Sequence, residues 1–387
     1  MTYPEFLARI DYIFRPLLTS LSPNFSVAFY SKAKRYFLTK YVTQNVNSEI
    51  KNKLTEFTNT NDELFKPKLL WGIKFNSPIF NSAGMFKYGF GYEVVANQGS
   101  GAFLLGTTTS KKREGNTKNG IKHPFASYPK SHIASNWMGL PNFGHKDLAD
   151  KIAKINKIDG CPIGVSMSAD PEDNTKDKLN GLLDGLKLFD NSQVDFIEIN
   201  ESCPNVVGHS SNANPLDDEL IERLNFISIN FLQKRKRNLP VILKFSNDTE
   251  PDLIPELVKM LINLGYNGIN IGNTSTKYVE FEKVIHANEK AVFNYFSKTF
   301  GGGLSGRKLK ENSFKLSLIA QDTLDSIKKS KDIQEFHIIR TGGIENYNDI
   351  KISIEKGISL CQWYTGYFST YALFGNKIYL KMITNKI

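Results

Sequence analysis

The feature that most constrains this chain is a series of eight short apolar runs spread over residues 77–366. They read "SPIFNSAG" (77–84), "GAFLLGT" (101–107), "PIGVSMS" (162–168), "VDFIEIN" (194–200), "PVILKFS" (240–246), "NGINIGN" (267–273), "FHIIRTGG" (336–343) and "SLCQWYTG" (359–366). A polar or glycine-rich loop follows each run, and usually a helical stretch after that. Near-continuous apolar strands alternating with helices predict a parallel sheet covered on its outer face. Eight such units predict an α/β fold, the (β/α)8 TIM barrel, whose active site gathers at the C-terminal strand ends.

Those ends carry chemistry. They supply Asn81 to Gly84, Gly106-Thr107, Ser166, Asn200, Lys244, Asn273-Thr274, Gly342-Gly343 and Tyr364-Thr365-Gly366. Turn chemistry accounts for any one of these. Their recurrence at all eight ends points to a single site.

Residues 1–66 follow a different pattern. Phe6, Leu7, Ile10, Ile13, Phe14, Leu17, Leu18 and Leu21 recur at helical spacing, as do Phe29, Tyr30, Ala33, Phe37 and Tyr41. Pro23 and Asn24 mark a turn between the two sets. Lys32, Lys34, Arg35 and Lys40 interleave with the second set, so the pair reads as an amphipathic extension that either lies at a membrane surface or packs on the barrel. "NTNDELFKPK" reads as the linker, which divides the chain into a helical segment (1–66) and a catalytic barrel (67–387).

Charge and cysteine content narrow the class. The formal net charge is +10, which suits anionic ligands, anionic membranes or nucleic acid. The clusters "KKR" (111–113) and "KRKR" (234–237) read most simply as solvated surface. Cys161, Cys203 and Cys361 are odd in number and widely spaced, which argues against a disulfide framework or zinc site and fits a reducing compartment. No apolar run approaches the length of a spanning helix. Glu5 and Asp11 argue against a transit peptide, and no secretory pattern is evident.

Several residues suggest a specific chemistry. Gly342-Gly343 and Thr365-Gly366 follow the last two strands, where barrels often bind phosphate through backbone N–H groups; "GGGLSG" (301–306) adds more flexible backbone. Lys244 ends a buried strand, so it is either paired with a structural carboxylate or set beside a redox ring, whose reduced anion it would stabilise. Asn136, Asn200, Asn205 and Asn273 offer donors and acceptors suited to a planar heterocycle, and Lys87 suits a carboxylate. Cys203, in "IEINESCPNVVG" (197–208), is a candidate base, since a thiol titrates within reach of neutral pH. The alternative is a small buried hydrophobe. The long connection from Ser275 to Phe300 reads as a candidate lid, and the loop after Cys203 as a second mobile segment.

From about residue 68 to 385 the chain resembles the dihydroorotate dehydrogenase family. The resemblance rests on "NSPIFNSAGMFKYG", "KKREGN", "NWMGLPN", "INESCPNVVG", "ILKFSND", "IGNTST", "GGLSGRKL", "RTGGIENYNDI" and "QWYTGY". It implies a flavin mononucleotide (FMN) enzyme that oxidises dihydroorotate to orotate in pyrimidine synthesis. By that resemblance Lys87, Asn136, Met138, Gly139 and Leu140 hold the substrate carboxylate, and Asn200, Asn205, Asn273 and Thr274 hold the ring. Cys203 removes the C5 proton while hydride leaves C6 for the flavin. Ser82, Ala83, Gly84, Thr107, Asn136, Ser166, Asn200, Lys244, Gly272, Ser305, Gly306, Gly342, Gly343, Tyr364 and Thr365 are the implied flavin contacts.

The pattern is mixed. Cys203 and Leu140 resemble the soluble branch of the family. Lys87, "GGLSG", "YTG" and the N-terminal helices resemble the membrane-associated, quinone-dependent branch. Arg340 stands where the family pattern has glycine near the phosphate, and Ser166 where the quinone-dependent branch has asparagine near the flavin. The resemblance implies quinone as acceptor at the cytoplasmic side of a membrane, with fumarate as the alternative. A dihydrouridine synthase-like enzyme would need an RNA-binding domain, of which the sequence shows no sign, so nucleic acid is not expected.

Overall fold

The computed structural model describes residues 1–44, 64, 66–201 and 216–384. Eight parallel strands form its centre: β1 (Ile79–Asn81), β2 (Phe103–Thr108), β3 (Ile163–Met167), β4 (Phe196–Asn200), β5 (Val241–Phe245), β6 (Gly268–Ile271), β7 (His337–Thr341) and β8 (Leu360–Trp363). Each lies on one of the eight apolar runs, β2 alone extending one residue past its run to Thr108. The hydrogen-bonded order is β1-β8-β7-β6-β5-β4-β3-β2, so only the β1–β2 seam lacks a regular ladder. A side chain closes that seam. Asn81 accepts from the Leu104 N–H (3.1 Å) and donates to the Leu104 carbonyl (2.7 Å). Gly101 N–H to Ile79 carbonyl (3.0 Å) and Gly84 N–H to Gly106 carbonyl (2.8 Å) complete the closure.

The two-residue period of each strand sorts its side chains between the barrel interior and the helices outside. Phe80, Leu104, Phe196, Ile242, Ile339 and Leu360 share the lower interior with Trp71 and Phe75. The last two belong to a hairpin, Lys68–Leu70 with Ile73–Phe75, that plugs the N-terminal end. Gly164 on β3 makes room for this layer: a Cβ there would lie 2.2 Å from the Phe196 ring. Outward residues such as Ile197, Ile199, Leu243, Ile269 and Ile338 pack against the surrounding helices.

Helices α1 (Tyr3–Leu18) and α2 (Pro23–Tyr41) form the N-terminal pair. Thr2 and Glu5 form a capping box on α1, and Pro23 opens α2 at a position where its missing N–H costs nothing. Both helices dock on the barrel. Ser31 donates to the Phe125 carbonyl (3.3 Å), Glu5 accepts from the Asn376 N–H (2.9 Å) and Tyr41 donates to Gln98 (2.7 Å).

The connection from Ser275 to Phe300 differs from the open lid its length suggested. It folds into helices Tyr278–Glu282 and Lys290–Thr299. Phe281, Val292, Phe293 and Phe296 bury themselves with Val27 of α2 and with Tyr128 and Ile133 of the antiparallel pair Phe125–Tyr128/Ile133–Asn136. This is a second packed core, and its burial opposes easy opening. The loop after Cys203 lies outside the described residues, as does most of the expected linker.

The basic clusters are solvated at Lys111, Lys112, Lys234 and Lys236, as expected, but their arginines are tied down. Arg113 is nearly buried and ion-paired with Asp170 (2.6 Å). Arg237 donates to the Asp190 carbonyl (3.0 Å) and the Val194 carbonyl (2.5 Å), tying down the end of helix Thr175–Asp190.

Candidate functional site

An open cleft of about 960 Å³ lies at the C-terminal strand ends. Ser82, Ala83 and Gly84 after β1, Thr107 on β2, Asn200 on β4 and Lys244 on β5 line it. So do Gly272, Asn273 and Thr274 after β6, Gly342 and Gly343 after β7, and Tyr364 and Thr365 after β8. Lys87, Asn136, Met138, Leu140, Ser305 and Gly306 complete the wall from connecting segments. Two expected residues stand back from it. Ser166 is fully buried behind Thr107, its hydroxyl 3.1 Å from the Thr107 hydroxyl. Gly139 shapes the loop instead, with φ of +70° and a Cβ position already filled by Asn116. Cys203 and Asn205 lie outside the described residues.

Lys244 settles at the floor of the cleft with a carboxylate the sequence reading overlooked. Its ammonium lies 3.5 Å from Glu198 on β4, 3.1 Å from Gln362 on β8 and 3.3 Å from Ser82. The Glu198 carboxylate also accepts from Asn270 and from Gln362, each at 2.7 Å. Lys244 is therefore both paired and lining the cleft. Burial lowers its pKa from the ordinary lysine value, and the Glu198 charge opposes that. Polar residues inside strands that are otherwise apolar were the available signal for Glu198, Asn270 and Gln362.

One side of the cleft is rich in amides. Asn273 donates to Asn200 (2.9 Å), and Asn200 donates to Thr107 (3.3 Å). The Thr274 hydroxyl is buried with no hydrogen-bond partner among the described residues. An orphaned hydroxyl on a wall is a group awaiting a ligand. Buried Asn142 fixes the neighbouring loop, donating to the Leu140 carbonyl (2.8 Å) and accepting from the Gly144 N–H (2.8 Å).

The opposite side is built from backbone. Gly342 and Gly343 have φ of +127° and +68°, and a Cβ on Gly343 would meet the Lys310 backbone at 2.3 Å. Helix Thr365–Phe374 presents its N-terminus here with no side-chain cap, so its first N–H groups are available to an anion. Glu345 accepts from Arg307 (2.8 Å) and sits beside His132 (3.2 Å) and Lys310 (3.4 Å). Arg340, although its sequence position is next to this loop, points the other way. It is buried among the outer helices, donating to Ser313 (3.1 Å), Ser353 (2.9 Å) and the Lys310 carbonyl (2.9 Å). Strand alternation sends Thr341 inward and Arg340 outward.

A second cavity of about 1,360 Å³ runs between α1, α2 and the strands Phe125–Tyr128 and Ile133–Asn136. Leu7, Phe14, Leu18, Phe29, Phe37 and Phe368 make most of it apolar. Arg15, Lys34 and Asp11 are its charged wall residues, with His132. Tyr364 and Thr365 line both cavities, so they are the partition between them.

Fold and site thus define an eight-stranded barrel with a cationic floor, an amide wall and a backbone anion cradle, served by a second, apolar chamber. The residues fit FMN: the uncapped helix and glycine loops suit a phosphate, and Lys244 suits the ring's electron-rich edge. Residues 67–384 match the family model described as dihydroorotate dehydrogenase, and the chain belongs to that family. A protein of Aliivibrio fischeri named dihydroorotate dehydrogenase (quinone) is 28% identical over 307 residues, covering 78% of this chain and 82% of its own length. A Coxiella burnetii protein of the same name is 27% identical over 356 residues, covering 91% of this chain and 90% of its own. The crystal structure of an Eimeria tenella DHODH in complex with ferulenol superposes with a TM-score of 0.65 at 19% identity, covering 89% of this chain and 92% of that one. This last likeness shows the shared fold.

Proposed function

We propose that this chain oxidises dihydroorotate to orotate for pyrimidine synthesis, holding FMN in the barrel cleft and passing electrons to a quinone. The observation that carries this reading is the meeting, in one cleft of a dihydroorotate dehydrogenase family chain, of Lys244, the Asn200–Asn273 amide pair and the glycine anion cradle. When bound, FMN supplies hydride acceptance and electron relay. The chain's own residues do the rest. Gly84, Ser305, Gly306, Gly342, Gly343 and Thr365 would hold the phosphate, and Lys244 would face the ring. Thr107, backed by Ser166, orients Asn200. Asn200, Asn205, Asn273 and Thr274 would pair with the substrate's carbonyl and N–H groups. Lys87, Asn136, Met138 and Leu140 would receive its carboxylate, on a loop shaped by Gly139. Cys203 would take the C5 proton, and a thiol needs only a modest cationic influence to be ionised near neutral pH.

Quinone is favoured over fumarate by the apolar cavity and by the quinone-dependent relatives. We assign the helical segment, residues 1–66, to acceptor access and the remainder, 67–387, to catalysis. No described helix is long and apolar enough to cross a membrane. Ile13, Leu17, Leu21 and Phe25 nevertheless stand exposed on α1, α2 and the turn between them, as peripheral contact with a bilayer, at its cytoplasmic face in this reading, would require.

The test is anaerobic mixing of the yellow protein with dihydroorotate. Bleaching of the flavin is expected, and Cys203→Ala should slow it by roughly 10²–10⁴ while flavin stays bound. A protein that does not bleach refutes the reaction. Reoxidation by fumarate alone, with ubiquinone and menaquinone analogues inert, refutes the acceptor.

A further inference from the structure

The apolar cavity holds one group that its role as a passage does not explain. Lys34 of α2 is buried, and its ammonium makes no hydrogen bond among the described residues. It lies 3.7 Å from the centre of the Phe125 ring and 4.7 Å from that of Tyr364. Such ring faces offset only about 2 kcal/mol of the cost of desolvating a cation. The single carboxylate on the cavity wall, Asp11, is engaged with Arg15. A charge this costly persists where a ligand oxygen completes its shell. Tyr364, against which Lys34 lies, is also a wall of the flavin cleft. The ammonium therefore stands at the place where electrons would enter the second cavity.

We infer that Lys34 receives the acceptor's carbonyl oxygen at the inner end of this cavity and supplies the proton for its first O–H bond. The inference rests on the quinone reading above. The exchange balances: the reduced flavin anion would give up two electrons and one proton, and the quinone takes up two electrons and two protons to become quinol. One O–H bond forms with a proton from the Lys34 ammonium, and the resulting amine is recharged from solvent. Solvent provides the proton for the second oxygen, while the flavin's one proton leaves through its own cleft.

The surroundings favour proton donation. Burial lowers the Lys34 pKa well below the ordinary lysine value, and the like charges of Lys87 and Arg15 lower it further. The charged and titratable groups around it are Arg15 and Asp11 from α1, Tyr30 from α2 and Lys87 from the loop after β1. Tyr36 of α2, Tyr128 and His132 of the antiparallel pair and its turn, and Tyr364 after β8 complete the set. Tyr30, Tyr128 and Tyr364 are held neutral, all having raised pKa values through burial.

The experiment compares the FMN-loaded wild type with Lys34→Met and Lys34→Arg. Each is bleached anaerobically with dihydroorotate, then mixed with a short-chain ubiquinone analogue at several pH values. Wild-type bleaching in all three, with Lys34→Met reoxidised about 10²-fold more slowly, is expected. The wild-type rate should fall as pH rises through the lysine's titration, and the Met variant should lose that dependence. Lys34→Arg keeps the charge but holds its proton too firmly, so it should stay slow. A binding measurement adds a readout independent of turnover. Wild type should prefer an anionic hydroxynaphthoquinone to neutral menadione, Lys34→Arg should retain that preference and Lys34→Met should lose it. Should methionine unfold the helix pair, Lys34→Gln replaces it. Reoxidation of Lys34→Met at the wild-type rate with the wild-type pH profile removes Lys34 and leaves the quinone reading standing. A wild type that bleaches but is reoxidised by no quinone removes both.

Discussion

Glu345 shows how much a single residue's surroundings decide at the rim of the anion cradle. Burial pushes its carboxyl pKa up, but hydrogen bonding to His132 and Arg307 outweighs this and holds it at about 2, against 4.5 for a free side chain. A carboxylate whose folded pKa is depressed adds stability above its unfolded pKa and loses it as pH falls toward the folded one. The contribution should therefore be complete above pH 4.5 and disappear toward pH 2. Urea midpoints measured across that window should fall less steeply in Glu345→Gln, and slopes identical to wild type would refute the pairing. The sequence made residues of this kind visible only in part. Lys244, Asn200 and Asn273 stood out because polar residues ending apolar strands are conspicuous. Glu198 and Gln362 were passed over because each sits inside an apolar strand rather than at its end. Arg340 was misplaced because nearness in sequence to the glycine pair says nothing about the face from which a side chain leaves a strand.

Elements were the most legible level. All eight strands fall on the apolar runs, with β2 one residue longer than its run, since a strand buried on both faces has to be apolar along its length. Pro23 and Asn24, read from the sequence as a turn, instead open α2, since proline is preorganised for the first helical turn. What could not be read was the closure between β1 and β2, the first two strands in sequence order, because a side-chain bridge leaves no periodic trace. Asn81 supplies both hydrogen bonds that the Leu104 backbone would otherwise draw from a neighbouring strand. Asn81→Leu leaves that N–H and C=O buried and unpaired. The expected cost is about 2–5 kcal/mol from two unsatisfied groups, read as a lower denaturation midpoint. A change within about 0.5 kcal/mol, the level of an ordinary surface substitution, would show that the seam does not depend on it. The Ser275–Phe300 connection misled for a related reason: its apolar residues pair with α2 and the hairpin, contacts made far away in the chain.

For the whole molecule, the formal charge of +10 and the exposed apolar residues of α1 and α2 belong to one argument. A basic protein with unburied Ile13, Leu17 and Phe25 should bind anionic vesicles better than neutral ones. Added salt should weaken the electrostatic share and leave the apolar share. Cosedimentation across lipid compositions checks this. Binding indifferent to both anionic lipid and salt would mean that the charge serves only solubility. The wall shared through Tyr364 and Thr365 has a kinetic consequence. In the proposed reading each ligand has its own door, so orotate and the acceptor would not need to displace one another, and the two half-reactions could be blocked separately. A plug in the apolar chamber would leave the flavin reduced and waiting, so the protein would stall with its charge stored.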